Sequence, residues 1–369
     1  MEGPPADAEL YRYTEIESNS SFRLLKLLKG NGPELECELY PWLIQDEYPS
    51  YEALSYTWGS SEVVECIALN QKPFWITDNL HTALQSLRLR DRDRILWIDA
   101  ICIKQGDKLE QSHQVQQMGQ IYGQAEKVLF WLGKATPQII ALMETLNQHP
   151  YNSSASHNMQ EVFKDWPYEG HSIGFQQLLN REWFTRVWIV QEAAKARKAD
   201  VCCGIRSIPA ELFVRAFHLM KQEPPPHCKP VLDIMAESLR TGSWWTQARD
   251  LRILLQKFHA SKATDERDKI YALLAKPQED ASEIIFPYLQ TGYMISDRSR
   301  PENTTQPIAA FNNPALFIVE ERPAANLENS KTCYSQAVKL MLDQLSGRDP
   351  PDGGLSQEDF INLPGNCYI

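Results

Sequence analysis

Short apolar runs alternate along the chain with segments in which apolar residues recur at helical spacing. The runs are typical of strands and cover residues 20–28, 35–44, 51–58, 94–103, 127–133 and 199–204. Apolar residues three or four positions apart predict helices over residues 76–89, 115–125, 136–148, 181–196 and 208–220. We expect the first of these helices to be capped by Thr77 or Asp78. The alternation predicts an α/β fold with a mainly parallel sheet flanked by helices.

The segment RILWIDAICI, residues 94–103, is apolar at nearly every position, as expected of a strand that is covered on both faces. A helix and the run KVLFWLG follow, so the two strands should be parallel and neighbouring. Sites in such sheets form beyond the carboxyl ends of the strands. The candidate site loops are therefore Tyr56–Ser60, Asp99–Gln105 and the start of the segment at Arg181.

Composition shifts divide the chain into four predicted regions. They are an N-terminal lead-in (1–45), a core domain (46–220), a helical extension (221–275) and a divergent, irregular, partly disordered tail (276–369). Within the core, residues 149–172 are polar and turn-rich, which predicts an inserted loop. The break between the core and the extension falls near EPPPH, residues 223–227.

Charge and targeting patterns exclude several classes of protein. Lys and Arg number 37 against 48 for Asp and Glu, and the net charge of −11 argues against broad binding to a nucleic-acid backbone. No apolar run reaches the roughly 18 residues that a membrane helix requires, and the first residues lack a signal-peptide pattern. We therefore expect a cytoplasmic protein that binds neither nucleic acid nor membrane.

Signatures of metal and nucleotide sites are also missing. The 8 cysteines form no CxxC pair and the 8 histidines form no HExxH motif, so we expect reduced cysteines and no metal. GNGP (30–33) lacks the third glycine and the following helix of a dinucleotide fingerprint. GKA (133–135) lacks the upstream glycine and the Ser or Thr of a phosphate-binding loop. Without a GxSxG elbow, Ser55 is a poor serine-hydrolase nucleophile.

One carboxylate is conspicuous, because Glu192 lies in the largely apolar segment REWFTRVWIVQEAAKA, residues 181–196. A buried carboxylate is costly unless it is paired or functional. One interpretation is an ion pair with Arg186 or Lys195, and another is a helix that is less buried than its composition indicates. The third is a functional group, since Glu192 follows Trp188 by one helical turn.

Several long motifs, in order, resemble the fungal heterokaryon-incompatibility (HET) domain family. They are YEALSYTWG (51–59), LWIDAICIKQGDKLEQSHQVQQMGQIYGQAEKVLFWLG (96–133) and REWFTRVWIVQE (181–192), followed by VCCG (201–204) and TDERDKIYALL (264–274). The resemblance covers roughly residues 22–275. The sequence departs from the family pattern at Lys104 and Gln111, and the segment AKPQED replaces the usual continuation after Leu274.

The resemblance implies a signalling protein of fungal non-self recognition and programmed cell death. The HET fold is thought to be related to TIR domains, which have a flavodoxin-like sheet. Some TIR domains are signalling scaffolds, and others cleave NAD with a glutamate four residues after a tryptophan. Trp188 and Glu192 have that spacing, so by this analogy Glu192 is the candidate catalytic residue and NAD the candidate substrate, with no bound cofactor.

A single carboxylate is sufficient for this chemistry, because the nicotinamide of NAD is already cationic and leaves as a neutral molecule. An ionised glutamate near the ribose stabilises the oxocarbenium-like charge or orients the hydroxyls. The other candidate residues would bind the substrate: Ser55, Tyr56, Trp58, Gly59, Asp99, Gln105, Arg186 and Trp188. For Asp99 a cap or turn, for Gly59 a turn, for Trp188 core packing and for Arg186 a surface ion pair are the structural alternatives.

Whether the domain is an enzyme stays open at this stage. The first alternative is a non-enzymatic, TIR-like interaction module that self-associates or responds to an unidentified protein trigger. The second is a degenerate family member, which the unusual tail after residue 275 suggests.

Overall fold

The computed structural model describes the greater part of the first 274 residues. The described residues are 10–16, 21–43, 50–60, 62–148, 168–220, 223–236, 240, 243–247, 251–264 and 268–274. The predicted tail, 276–369, and most of the predicted loop at 149–172 lie outside this part of the chain.

The described strands form one mixed sheet of nine strands in the order β5-β4-β2-β1-β6-β3-β7-β8-β9. Their bounds are β1 Ser21–Leu27, β2 Glu36–Leu43, β3 Glu52–Tyr56, β4 Val63–Leu69, β5 Lys72–Thr77, β6 Arg94–Trp97, β7 Lys127–Trp131, β8 Ala199–Cys203 and β9 Arg206–Pro209.

Helices connect and cover these strands. Those of the core are α1 Asp78–Leu87, α2 Asp99–Cys102, α3 Lys108–Gln124, α4 Pro137–Gln148, α5 Tyr168–Leu179, α6 Ile189–Lys195 and α7 Ala210–Leu219. The described helices that follow are α8 Lys229–Leu232, α9 Trp244–Gln247, α10 Leu251–Phe258 and α11 Asp268–Leu274. Among the residues that the structure describes, no helix is long and apolar enough to cross a membrane.

The centre of the sheet confirms the α/β prediction. Strands β6, β3, β7 and β8 are parallel and adjacent. Numbered along the chain, they have the order 2-1-3-4, which is the order of flavodoxin-like folds. The outer part differs from a parallel sheet, since β1 pairs antiparallel with β2 and β6, and β4–β5 and β8–β9 are hairpins.

Two details of the predicted βαβ unit are wrong. Strands β6 and β7 are parallel, but β3 lies between them, because a long helical crossover does not itself dictate how many strands it passes. The apolar run at 94–103 is a strand only to Trp97, after which Asp99–Cys102 form a helical turn. Ile101 and Cys102 are fully buried in that turn, so the apolar pattern fits either conformation.

The hairpin β4–β5 escaped the sequence prediction because most of its side chains are only partly buried. Asn70 and Gln71 connect its strands with φ angles of 49° and 64°. Such left-handed residues at both central positions are typical of the tight turns that match the twist of a hairpin.

The segment 181–196 is not one helix. Residues Glu182–Thr185 form a 3₁₀ turn, Arg186 is extended, and α6 begins at Ile189. The break has a tertiary cause, since Arg186 forms a parallel bridge with Lys262. The Val187 N–H donates to the Lys262 carbonyl at 3.0 Å, and the Lys262 N–H donates to the Thr185 carbonyl at 2.5 Å.

The described residues fall into two units, one with the residues up to Gln247 together with Ala260–Lys262, and the other with Leu251–His259 and the residues from Ala263 onward. The sheet belongs to the first unit. In the second unit, α10 and α11 contact each other.

A buried arginine of β1 fixes the loop that follows β6. The guanidinium of Arg23, 1% exposed, donates to both carboxylate oxygens of Glu110 at 2.6 and 3.0 Å and to the Cys102 carbonyl at 3.1 Å. The Lys104 N–H donates to the same carboxylate at 2.7 Å. These charge-assisted bonds hold the segment between α2 and α3, and with it the position of Asp99.

Two glycines of α5 offer a matched test of the packing of α5 against α4. A Cβ at position 174 would lie 2.8 Å from the Gln138 carbonyl oxygen of α4, whereas one at position 170 would have no neighbour within 4 Å among the described residues. We expect Gly174→Ala to lower the free energy of unfolding by about 1–3 kcal/mol. Gly170→Ala should raise it by about 0.5–1 kcal/mol, because alanine favours the helix. Urea denaturation measures both, and a stabilising Gly174→Ala would contradict the close helix contact.

Candidate functional site

The candidate site lies beyond the carboxyl ends of the parallel strands, where the strand order reverses between β3 and β7. Ser55 and Tyr56 are the last two residues of β3, and Asp99 is the second residue after β6. Glu192 reaches the same place from α6, with both Ser55 and Arg186 in contact with its carboxylate. The fold therefore brings residues of three separate motifs to one edge of the sheet.

Glu192 is sealed from solvent, with 1% of its side chain exposed. Its Oε2 atom accepts a hydrogen bond from the Ser55 hydroxyl. Its Oε1 atom lies 3.6 Å from Nη2 of Arg186, whose side chain is 19% exposed. The interpretation of a poorly buried helix is therefore wrong, and the ion pair with Arg186 is present.

Arg186 links the two sides of the site. Its Nη1 atom donates to the Tyr56 carbonyl at 2.5 Å, while Nη2 faces Glu192. Its backbone is held by the bridge to Lys262 described above. Arg186 is thus held both at its backbone and at its guanidinium. This guanidinium is the charged group that compensates the buried carboxylate of Glu192.

Burial dominates the titration of both carboxyl groups. It raises the pKa of Glu192 above its ordinary range, although Arg186 and the hydrogen bond from Ser55 oppose this shift. Burial likewise raises the pKa of Asp99, opposed by Arg186 and by the hydrogen bond from Trp58. Burial also lowers the affinity of Arg186 for its proton, but the two carboxylates overcome that effect and its pKa is raised. One cation thus serves two carboxyl groups.

The solvent side of the site is formed by Trp58, Asp99 and Gln105. Trp58 is 40% exposed, and its indole N–H donates to Oδ2 of Asp99 at 3.0 Å. The Gln105 side chain donates to the Asp99 carbonyl at 2.8 Å. An exposed indole above a half-buried carboxyl group is an arrangement that suits a planar or cationic ligand.

Gly59 and Trp188 both contribute to the backbone geometry around the site. Gly59 has a φ angle of 74°, and a Cβ there would approach Cβ of Asn79 to 3.2 Å, which explains a glycine in this turn. Trp188 is half-buried at the start of α6, where its carbonyl accepts the N–H of Glu192 at 3.2 Å. The tryptophan–glutamate spacing of the motif therefore corresponds to one turn of backbone hydrogen bonding.

Two buried aromatic residues of the site escaped the sequence prediction. The indole N–H of Trp183 donates to Oγ of Ser55 at 2.8 Å. The hydroxyl of Tyr122, on α3, donates to the Leu54 carbonyl at 3.1 Å. Burial, and then the nearby Glu192 and Asp99, hold the pKa of Tyr122 well above its usual value. Trp183 lies in the same motif as Glu192, but spacing alone does not show which indole is linked to the carboxylate through Ser55.

Among the described residues, no group of three or more His, Cys, Asp or Glu side chains is arranged to hold a metal ion. The described cysteines all carry free thiols, and only Cys66 is exposed among them.

Residues 51–192 match the family described as "Heterokaryon incompatibility protein (HET)". This segment is similar to the HET domain, and it contains every site residue named above. A relative from Neurospora crassa, "Heterokaryon incompatibility protein 6, OR allele", is 30% identical over 248 residues, which are 55% of this chain and 36% of the relative. The chain thus matches little more than a third of the length of this curated relative. No solved structure matches the chain.

The raised pKa of Glu192 predicts a pH-dependent stability difference. The folded state keeps a proton on Glu192 that the unfolded state loses above a pKa of about 4.3. The free energy of unfolding of the wild type, relative to Glu192→Gln, should therefore fall as pH rises through this range and level off above the folded-state pKa.

Urea denaturation at a series of pH values measures this difference. Glu182→Gln, in the same motif but exposed, is the control for the substitution itself. A stability difference for Glu192→Gln that grows with pH would mean a lowered pKa and would contradict the burial argument.

Proposed function

We propose that the HET domain of this chain acts in fungal incompatibility, as a signalling domain of non-self recognition and cell death, and that it does so by cleaving NAD. The name of the Neurospora relative supports the incompatibility role. The observation that supports the chemistry is the carboxylate of Glu192, held by Ser55 and Arg186 at the strand-order reversal. The flavodoxin-like order of the parallel strands is compatible with the TIR relationship.

The proposed reaction breaks the bond between C1′ of the ribose and the nicotinamide nitrogen. The bonding electron pair moves to that nitrogen, so the cationic ring leaves as neutral nicotinamide, and no acid has to protonate it. Water then adds to C1′ and releases a proton. Glu192 stabilises the positive charge that develops on the ribose, or orients its hydroxyls.

The exposure of the site residues suggests the direction from which the substrate enters. Trp58 is 40% exposed and Asp99 is half-buried, whereas Glu192 is 1% exposed. The planar nicotinamide or adenine stacks on Trp58, and Asp99 accepts from ribose hydroxyls. Contact with Glu192 requires the Arg186 guanidinium to move away from Oε1, since these atoms lie 3.6 Å apart in the sealed arrangement.

Nicotinamide release from NAD by the purified chain tests the proposal. We expect release by the wild type to fall about a hundredfold or more in Glu192→Gln, since the charge that stabilises the transition state is lost. Glu182→Gln, at the exposed first residue of the 3₁₀ turn, should retain full activity. The assay is run dilute and concentrated, because assembly activates some signalling enzymes. Equal release by the wild type and a folded Glu192→Gln protein would refute the catalytic role.

The second candidate is a non-enzymatic interaction module. The completeness of the ion pair favours it, because both oxygens of Glu192 already have partners and the group is buried. Exposed apolar side chains at Leu109 (77%) and Ile205 (76%) are consistent with a surface for self-association.

Light scattering over a range of concentrations separates the two functions. An interaction module should assemble equally well as the wild type and as Glu192→Gln, with no nicotinamide release from either. Ile205→Ser should weaken that assembly if the exposed β8–β9 turn takes part. A protein that stays monomeric at all concentrations would contradict this candidate.

A further inference from the structure

A chain of two hydrogen bonds runs from an indole through a hydroxyl to the candidate catalytic carboxylate. Trp183 donates to Ser55, and Ser55 donates to Glu192. We propose that Trp183 and Ser55 are positioning residues that hold Glu192 with Oε2 occupied and Oε1 as the oxygen open to exchange of partners. This inference rests on the function proposed for Glu192, and it gives Ser55 a different role from substrate binding.

The direction of the bonds follows from the chemistry of the three groups. An indole nitrogen only donates, so its contact with Oγ of Ser55 at 2.8 Å must use a lone pair of the hydroxyl. The single hydroxyl proton of Ser55 is then directed to the carboxylate oxygen of Glu192. A hydrogen bond donated to a carboxylate favours its ionised form. The indole uses one lone pair of the hydroxyl, and an ionised Glu192 has no proton of its own, so Ser55 donates its proton to the carboxylate.

The packing of Trp183 keeps this direction fixed. The Trp183 side chain is 1% exposed, and its ring centroid lies 4.9 Å from that of Phe130 on β7 and 5.0 Å from that of Phe184. Close-packed aromatic rings have little freedom to rotate. Ser55 lies on β3, and Phe130 is its register partner on β7. Ser55 contacts Glu192 directly, while Phe130 packs against Trp183, so both strands contribute to the orientation of Glu192.

The two oxygens of Glu192 therefore differ. Oε2 is held by a hydroxyl of the sheet, which is itself 1% exposed and anchored by Trp183. Oε1 faces Arg186, a longer and more exposed side chain, across 3.6 Å. A ligand that displaces the guanidinium meets Oε1, while Ser55 has no second proton to donate to it.

Three substitutions separate this role from simple packing. Trp183→Phe removes the indole N–H and keeps an aromatic ring, and Ser55→Ala removes the hydroxyl. Trp131→Phe is the matched control, because Trp131 is also 1% exposed but its indole nitrogen has no hydrogen-bond partner among the residues that the structure describes. Trp131 is the register partner of Tyr56, the residue that follows Ser55 in the sequence. The control therefore probes the same pair of strands, β3 and β7.

The first measurement is the titration of Glu192 by NMR with ¹³C-labelled glutamate, assigned by the resonance that disappears in Glu192→Gln. Loss of the Ser55 hydrogen bond should raise the pKa of Glu192, most in Ser55→Ala and less in Trp183→Phe. Trp131→Phe should leave the Glu192 titration as in the wild type. An unchanged titration in Ser55→Ala, or identical titrations in Trp183→Phe and Trp131→Phe, would overturn the inference. Should Trp183→Phe not fold, Ser55→Ala decides the question on its own.

The second measurement is the pH dependence of nicotinamide release. For a positioning role, Ser55→Ala should lower kcat about ten- to a hundredfold and move the acid limb of the profile upward, with KM little changed. For a substrate-binding role, KM would rise with the acid limb in place, and this result would overturn the inference. The wild type could release no nicotinamide while the variants still show a shifted Glu192 titration. That result would support the positioning role and refute NAD cleavage. The two proposals are therefore tested separately.

Discussion

The burial of the Glu192 carboxylate is the constraint on which this edge of the molecule depends. A carboxylate that is 1% exposed must be compensated, and its two partners come from distant parts of the chain. Ser55 lies near the end of β3, Arg186 is the extended residue after the 3₁₀ turn, and Trp183 in that turn fixes Ser55. Because the loss of one partner leaves a charge uncompensated, the HET motifs that supply them are physically interdependent.

The extended conformation of Arg186 shows how distant parts of the chain contribute to this site. A helix continuing through residues 181–196 would satisfy the local sequence preference. The Lys262 N–H donates to the Thr185 carbonyl, and the Lys262 carbonyl accepts from the Val187 N–H. These two bonds hold the break and direct the guanidinium of Arg186 to Glu192 and the Tyr56 carbonyl. The family match ends at residue 192, yet a residue 70 positions later helps to shape the site.

The gradient of exposure across the site connects the geometry with a signalling role. Trp58 is open to solvent, Asp99 is half-buried, and Glu192 is closed off behind its ion pair. In the proposed function, this arrangement keeps the reactive carboxylate inactive until the Arg186 contact is exchanged for a ligand. Within that proposal, a low basal activity suits a domain whose chemistry would end in cell death. The same closed ion pair suits a structural role equally well in the interaction-module alternative.

The sequence by itself determined the fold class, most of the elements and the group of motifs that form the site. Strong apolar periodicity identified β3, β7 and α1, because burial on a defined face leaves a readable pattern. It did not determine the neighbour of β6, the half-exposed hairpin β4–β5 or the break at Arg186. Each of these depends on contacts between residues far apart in the chain, which local periodicity does not record. The tertiary structure alone decided that Trp183, through Ser55, is the indole linked to Glu192, because hydrogen-bond direction depends on the position of atoms that the sequence does not specify.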